Sequence, residues 1–399
     1  MSGEERYLED ITRLASIKPD RGPATPGEKE AADYVEGRMK ELGLNPVVEP
    51  FRSIPHFYIT WALHSLICIA CCLLAFRQPW IAAAIILFIT VSFYGDTSTR
   101  FFILRHLFPT GPSQHVVGKL KPKGEAKKVV YVAAHLDAGQ MGFSFNPEKA
   151  ETTQAFFKKH FEMQPPLLAL IFYDMIFNLL ACLLVAAVGV TTFTTVLLLL
   201  GAAVHIIPIV IFIPHEFAKI CPGASDNASA VAVMLELARR FKDNPPENTE
   251  LRFLGDGSEE TNMHGMSCYM MKHQQELDKD NTYFLIPETV GQARPRVVVG
   301  EGVCWVVEHS HELCAALLMA AKDLGYKDVT PICLRTGGTD ASPATVRGFK
   351  AAVMIAMNEN DYPPNYHWHT DVPENIDVNT VRKVANIFEA TIKTIDAKF

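Results

Sequence analysis

The sequence predicts an α/β protein with a largely parallel sheet, helices on both faces, and two inserted transmembrane helical hairpins. Outside residues 56–112 and 161–214, short β-branched stretches alternate with stretches of helical apolar spacing. Such alternation is typical of a parallel sheet covered by helices. Of the 399 residues, 49% are hydrophobic and 20% are charged. The apolar excess therefore points to membrane segments added to an ordinary α/β domain.

Two apolar blocks supply the predicted hairpins. The first contains apolar runs at 59–75 and 80–93, with Arg77 as the one charge between them. The second covers 167–213 and is broken near Gly189. A bilayer core requires about 20 helical residues, so we expect about four spans. Buried helices of a large soluble core are the alternative.

The rest of the chain forms the predicted α/β domain, in three pieces. These are residues 1–55, 113–160 and 215–399, separated by the hairpin insertions at 56–112 and 161–214. The expected helices lie at 29–42, 226–241 and 265–273, and the expected strands at 127–134, 251–254 and 283–286. The first helix is preceded by the capping-box pattern of Thr25 and Glu28.

Charge indicates the partners and the orientation. The formal net charge of -7 argues against nucleic acid, which requires a clustered positive surface. Arg77 is the one basic residue expected on the far side of the membrane. The basic residues expected on the near side are Arg52, Arg100, Arg105, Lys158, Lys159 and Lys219. The positive-inside rule therefore predicts an integral membrane protein with its α/β domain on the cytoplasmic side.

Acidic residues and a histidine follow two predicted strands. His135 comes directly after the strand at 127–134, and Asp137 is placed where a carboxylate can orient the imidazole. Glu259 and Glu260 follow the strand at 251–254, where adjacent acids repel each other unless a cation lies beside them. The alternative at both places is a solvated polar loop.

Three further residues complete a possible metal site. Asp226 precedes a predicted helix, for which an N-cap is the alternative role. Glu288 follows the strand at 283–286, and His367 lies near the C-terminus. The candidate ligands are thus His135, Asp226, Glu260, Glu288 and His367. Nitrogen and carboxylate ligands without thiolate suit a catalytic zinc, manganese or cobalt site, and five of them fit two metals that share one carboxylate.

The motifs resemble those of a known family. They lie at 135–137, 223–230, 259–260 with Gly265, 360–362, 367–371 and 373–377. In this order they are similar to the di-zinc aminopeptidase family, which includes bacterial leucyl aminopeptidases, glutamate carboxypeptidase II, glutaminyl cyclases and the transferrin receptor domain. The resemblance covers most of residues 1–55 and 113–399 apart from the second apolar block. It implies a mostly parallel mixed sheet of the zinc aminopeptidase type.

The resemblance also implies roles for the candidate residues. Asp226 would bridge two Zn²⁺ ions, for which Mn²⁺ or Co²⁺ could substitute. His135 and Glu288 would complete one ion, and Glu260 and His367 the other. Glu259 would be the general base that takes a proton from water and gives it to the departing amine, and Asp137 would orient His135.

Two positions depart from the family pattern. Glu288 stands where the family usually has Asp, and Thr336 stands near a tyrosine that supports the oxyanion in some soluble members. The candidate substrate-binding residues are Thr339, Asp340, Tyr362 and Tyr366.

We expect a membrane-anchored zinc metallopeptidase, an aminopeptidase that acts at the membrane surface on a peptide or a lipid-linked amide. The second apolar block lies between Asp137 and Asp226, which places the predicted site near the bilayer. An amidase or deacylase of N-acylated lipids or amino acids is the alternative. A glutaminyl-cyclase-like acyltransferase and a non-catalytic receptor-like module fit less well, because the five ligands and Glu259 are all present. The sequence makes no prediction about the oligomeric state.

Overall fold

A nine-stranded mixed sheet is the frame of the α/β part. The structure is a computed structural model that describes residues 3–398. The strands are β1 (Val47–Ser53), β2 (Gly111–Leu120), β3 (Lys128–His135), β4 (Thr249–Asp256), β5 (Thr282–Glu288), β6 (Arg294–Glu301), β7 (Val307–Glu308), β8 (Thr330–Leu334) and β9 (Lys350–Met357). Their order is β1-β2-β4-β3-β5-β9-β6-β7, and β8 pairs with β6.

The centre of the sheet is parallel and its edges are mixed. Strands β4, β3, β5 and β9 run parallel, whereas β1, β2 and β4 pair antiparallel at one end. At the other end β6 is antiparallel to β9 and β7, and parallel to β8. The apolar run of β3 is buried on both faces, as expected for a central parallel strand. The predicted strands at 127–134, 251–254 and 283–286 are confirmed.

The described residues form thirteen α-helices. They are α1 (Gly3–Ala15), α2 (Pro26–Glu41), α3 (Phe57–Leu74), α4 (Pro79–Thr97), α5 (Pro147–Phe161), α6 (Leu167–Val188), α7 (Thr192–Val204), α8 (Ile206–Glu216), α9 (Ser229–Lys242), α10 (His264–His273), α11 (His311–Asp323), α12 (Ala341–Thr345) and α13 (Val378–Lys398). Alternate residues of each strand point to opposite faces. Accordingly Val130 packs in the core under α1, α2, α9, α11 and α13, and its neighbour Tyr131 packs in the core under α10 and α12.

The two apolar blocks form a separate helical bundle. Helices α3 and α4 are inserted between the antiparallel neighbours β1 and β2, and α6, α7 and α8 are inserted between β3 and α9. Four helical segments of the described chain are long and apolar enough to cross a membrane. They are Phe57–Leu74, Pro79–Thr97, Leu167–Val188 and Thr192–Glu216, the last comprising α7 and α8. The division of the chain into domains stays a prediction.

The bundle has apolar side chains both inside and outside. Tyr173, Leu180 and Leu200 are among the large apolar side chains exposed on α6 and α7. The interior is also mainly apolar, with a few polar pairs, of which His205 Nε2 lies 3.2 Å from Asp174 Oδ2. A soluble helical domain instead presents charged and polar residues on its outer face.

Candidate metal centre

The predicted metal ligands lie together where the central parallel strands end. His135 is the last residue of β3, Glu288 is the last of β5, and Glu260 follows β4. Asp226 lies in an irregular turn before α9, and His367 lies in the loop between β9 and α13. Side chains at the carboxyl ends of adjacent parallel strands converge on one edge of a sheet. All five side chains are buried.

Asp226 faces a different histidine with each of its oxygens. Its Oδ1 lies 3.2 Å from His135 Nε2, and its Oδ2 lies 3.2 Å from His367 Nε2. Glu288 Oε1 is 3.5 Å from His135 Nε2, and Glu260 Oε2 is 3.0 Å from His367 Nε2. The carboxylate of Asp226 therefore lies between two sets of donor atoms. An N-cap role for Asp226 is wrong, because α9 begins only at Ser229 and has no side-chain cap.

The donor atoms fit metal ions. Two groups share Asp226, one with His135 and Glu288 and the other with Glu260 and His367, and the donor atoms of each group lie within 4.8 Å of one another. Among residues 3–398, neither ring nitrogen of His367 has a partner in hydrogen-bond geometry despite the close carboxylates, nor has Glu260 Oε1. Buried polar atoms without partners are rare, and a cation supplies the missing partner.

Gly139 leaves space for the side chains of His367 and Glu260. A Cβ atom at Gly139 would lie 2.5 Å from His367 Nε2 and 2.8 Å from Glu260 Oε2. Both distances are shorter than side-chain contacts allow. Any larger residue would therefore displace the donor atoms of His367 and Glu260.

The pKa values reflect a concentration of buried charge. Burial raises the pKa of Glu260 and Glu288, and it raises the pKa of Glu259 well above its usual range. Burial alone lowers the pKa of His367, but Glu260 and Asp226 outweigh it and raise the pKa to about 10. The acids thus favour positive charge at the centre, which a divalent cation provides more strongly than an imidazolium.

Asp137 fixes the backbone that carries both adjacent glutamates. Its Oδ1 accepts a hydrogen bond from Glu259 N at 3.1 Å, and its Oδ2 accepts one from Glu260 N at 2.9 Å. The same Oδ1 lies 3.4 Å from His135 Nδ1. The structure thus brings Asp137 next to His135, as the sequence predicts, and adds a contact with the Glu259–Glu260 loop.

Three supporting residues were not assigned from the sequence. Asp371 accepts hydrogen bonds from Ser225 N at 2.7 Å and Asp226 N at 3.0 Å. Arg21 is buried and donates to Leu136 O and Gly223 O, so it joins the segments that carry Asp137 and Asp226. No sequence pattern indicates the role of Arg21. The spacing of four residues between His367 and Asp371 is a pattern from which the role of Asp371 could have been predicted.

Glu28 is the third supporting residue. Thr25 caps α2 by accepting from Glu28 N at 3.3 Å, so the predicted cap is present. The Glu28 carboxylate is buried and accepts from Ser258 N at 2.6 Å, directly before Glu259. Glu28, which the sequence pattern indicates only as part of a helix cap, therefore also holds the loop of the candidate general base Glu259.

The candidate substrate-binding residues fall into two groups. Thr339, Tyr362 and Tyr366 line a cavity of about 410 Å³ that reaches Glu259. Asp340 is wrong as a substrate contact, because it is fully buried and outside the lining of this cavity. Burial and the neighbouring Asp256 raise the pKa of Asp340 well above its usual value.

Comparison with known proteins agrees with this geometry. Residues 209–392 match peptidase family M28. Aminopeptidase YwaD of Bacillus subtilis is 24% identical over 187 residues, which are 45% of this chain and 39% of that protein. The chain thus spans about two-fifths of the length of this curated relative. Residues 209–392, which match the family, include Asp226, Glu259, Glu260, Glu288 and His367.

Solved structures share the fold over almost the whole chain. The zinc aminopeptidase BSAP from Bacillus subtilis has a TM-score of 0.56 at 16% identity, covering 98% of this chain and 94% of that one. A leucine aminopeptidase precursor from Bacteroides thetaiotaomicron has a TM-score of 0.55 at 15% identity, covering 98% and 96%. A glutaminyl cyclase from Tannerella forsythia has a TM-score of 0.55 at 14% identity, covering 98% of each chain. The predicted family resemblance and fold are confirmed, and the comparisons support a zinc-dependent hydrolase.

A buried ion pair joins the first hairpin to the M28-like site. Arg105 is fully buried, and its Nη2 lies 2.6 Å from Asp96 Oδ1 at the end of α4. Arg105 also donates to the backbone carbonyl of Thr261, the residue after Glu260. Asp96 accepts from Trp61 Nε1 at 2.9 Å, so the pair connects α3, α4 and the catalytic loop.

Replacing Arg105 by Ala is expected to destabilise the protein strongly. The change leaves Asp96 buried without its charged partner, which typically lowers the free energy of unfolding by about 3–5 kcal/mol. Arg13→Ala is the control, because Arg13 and Glu30 form an exposed pair worth about 1 kcal/mol or less. Denaturant unfolding in detergent compares the two. Equal destabilisation by both variants would contradict an anchoring role for the Arg105–Asp96 pair.

Proposed function

We propose that this protein is a membrane-anchored, zinc-dependent amide hydrolase with Glu259 as its general base. The observation that carries the proposal is the position of Asp226, whose two oxygens face His135 and His367 separately. That geometry suits a carboxylate shared by two ions, with Glu288 and Glu260 completing the two donor sets. The M28 match supports the same assignment.

Glu259 is placed to move a proton within the cavity. It lines the cavity, its backbone is held by Asp137, and its Oε2 lies 3.8 Å from His135 Nε2. Zinc, when bound, lowers the pKa of water and polarises a substrate carbonyl. Glu259 accepts a proton from the attacking water and transfers it to the departing amine nitrogen. Asp137 keeps this carboxylate in place by holding its backbone, and so acts as a positioning residue.

The most direct candidate activity is that of an aminopeptidase, because the curated relative is described as one. Hydrolysis of N-acylated lipids or amino acids is the second candidate, and the apolar lining of the cavity favours it. The shared fold alone does not separate the two, since zinc aminopeptidases and glutaminyl cyclases both match it.

The bundle supports membrane anchoring. Each candidate span contains an 18-residue window that is strongly apolar. In the segment Leu167–Val188 only 39% of this window is buried inside the protein, and in Thr192–Glu216 only 28% is buried. Exposed apolar surface on this scale exceeds what soluble monomers carry and suits a lipid environment. We place the α/β domain on the cytoplasmic side, because the basic flanking residues lie at its end of the spans.

Replacing Glu259 by Gln is expected to lower hydrolysis roughly a hundredfold to ten-thousandfold, because the amide cannot accept the proton. Zinc content should stay at the wild-type level, since the five ligand residues are unchanged. The assay compares leucine p-nitroanilide and N-acyl leucines with the zinc-loaded protein in detergent. Glu125→Gln, which changes an exposed glutamate before β3, is the matched control.

Two results would contradict the proposed mechanism. One is wild-type turnover by Glu259→Gln. The other is full turnover by wild-type protein from which a chelator has removed all metal.

The membrane orientation is tested with two introduced cysteines. Trp80→Cys lies in the first turn of α4, next to the connection with α3, and Glu125→Cys lies in the α/β domain. In sealed vesicles with the cytoplasmic face inside, an impermeant maleimide should label Trp80→Cys above the wild-type background. Glu125→Cys should be labelled only after the vesicles are opened. The reverse pattern contradicts the orientation, and labelling of both sites in sealed vesicles contradicts the anchoring.

A further inference from the structure

A second cavity opens from the same glutamates on the side of the helical bundle. The cavity of about 410 Å³ described above is here named the domain arm. The second cavity, of about 290 Å³, is named the span arm and also reaches Glu259 and Glu260. Its apolar lining includes Phe57, Tyr58, Trp61, Leu168, Ile211 and Phe212. The two arms share Glu259, Glu260 and Tyr366, and the residues found only in the span arm belong largely to the helical bundle.

The span arm lies where the bundle meets the α/β domain. Phe57 begins α3, Leu168 lies in the first turn of α6, and Phe212 lies in the last turns of α8. These three helix ends are at the same end of the bundle, which is the end next to the metal centre. A chain that enters the arm from Glu259 therefore runs between three candidate spans.

Two polar side chains within the apolar part of the span arm, Trp61 and His215, are already paired. Trp61 Nε1 donates to Asp96 Oδ1 at 2.9 Å. The ring nitrogens of His215 lie 2.5 Å from Ile211 O and 2.9 Å from Ser144 Oγ. A peptide backbone in this arm would find few partners for its own N–H and C=O groups, which is unfavourable. A hydrocarbon chain has no such requirement.

The domain arm is also mainly apolar, and it differs from the span arm in its place. Its lining includes Lys149, Gln154 and Asp361 besides apolar side chains. These polar groups can hydrogen-bond a polar substituent. The two arms thus differ in the elements that line them, helix ends of the bundle in one and the α/β domain with α5 in the other.

We infer that the substrate is an amide carrying one long hydrocarbon chain, with the chain in the span arm between the candidate spans. This inference rests on the proposed amide hydrolase activity. Hydrolysis breaks the C–N bond, adds hydroxyl to the acyl carbon and adds a proton to the nitrogen. The products are a carboxylic acid and an amine, one of which keeps the hydrocarbon chain.

The first test compares substrates of graded chain length in one detergent. N-acetyl-, N-octanoyl- and N-palmitoylleucine are measured beside leucine hexadecylamide, leucine p-nitroanilide and trileucine, by release of free leucine. A long-chain amide should have a kcat/KM about tenfold or more above that of its short counterpart, because burial of methylenes adds binding energy. Equal or faster hydrolysis of the short amides or of trileucine would overturn the inference and leave the proposed function intact.

A variant that fills the span arm tests its location. Leu168→Trp should lower the ratio of long-chain to short-chain kcat/KM about tenfold, because the indole occupies space that the hydrocarbon needs. A ratio within one variant is insensitive to partial loss of folded protein. Leu199→Trp, on the exposed face of α7, is the matched control and should leave the ratio unchanged. An unchanged ratio in Leu168→Trp would overturn the assignment of this arm.

Binding can be measured without turnover. Brominated chains quench tryptophan fluorescence on contact, and Trp61 lines the span arm. N-(dibromostearoyl)leucine should quench the zinc-loaded Glu259→Gln protein, and Trp61→Phe in the same background should remove most of that quenching. Quenching that is independent of Trp61 would overturn the inference. If the wild-type, zinc-loaded protein hydrolyses none of the amides, the proposed function fails, and the quenching result still reports on the arm.

Discussion

Four buried carboxylates, those of Asp226, Glu259, Glu260 and Glu288, lie together where the central strands end. Two imidazoles are the nearest cationic groups to them, and charges of one sign buried this closely are strongly unfavourable without a counter-charge. Cations held by these carboxylates and imidazoles would resolve this conflict. The parallel centre of the sheet creates the constraint, because it brings β3, β4 and β5 to the same edge. Metal binding at this site would therefore stabilise the folded state.

Much of the surrounding structure holds the acids in place. Asp137 accepts backbone hydrogen bonds from the Glu259 loop, and Asp371 accepts them from the Asp226 loop. Arg21 joins the segments that carry Asp137 and Asp226. Arg105 connects the first hairpin to the Glu259–Glu260 loop, because it donates a hydrogen bond to the backbone carbonyl of Thr261. The hairpins are thus part of the architecture of the site. This also explains how an apolar arm can begin at Glu259 and continue between the spans.

The ligands could be predicted because each follows a strand or lies in a short motif, and parallel strands bring such positions together. Asp340 was misassigned because adjacency to Thr339 in sequence does not show which side chain reaches the cavity. Arg21 and the Arg105–Asp96 pair could not be found, since their partners are 115 and 9 residues away and carry no local signature. Four apolar spans could be predicted from the sequence. The span arm could not, because it forms only where the ends of these helices come together around Trp61.

The central claim is that Asp226 is shared by two zinc ions. Anomalous diffraction from crystals of the zinc-loaded protein, measured on both sides of the zinc absorption edge, tests it most directly. Two zinc peaks are expected, both next to Asp226. One should lie beside His135 and Glu288, and the other beside Glu260 and His367. A single peak, or peaks remote from Asp226, would contradict it.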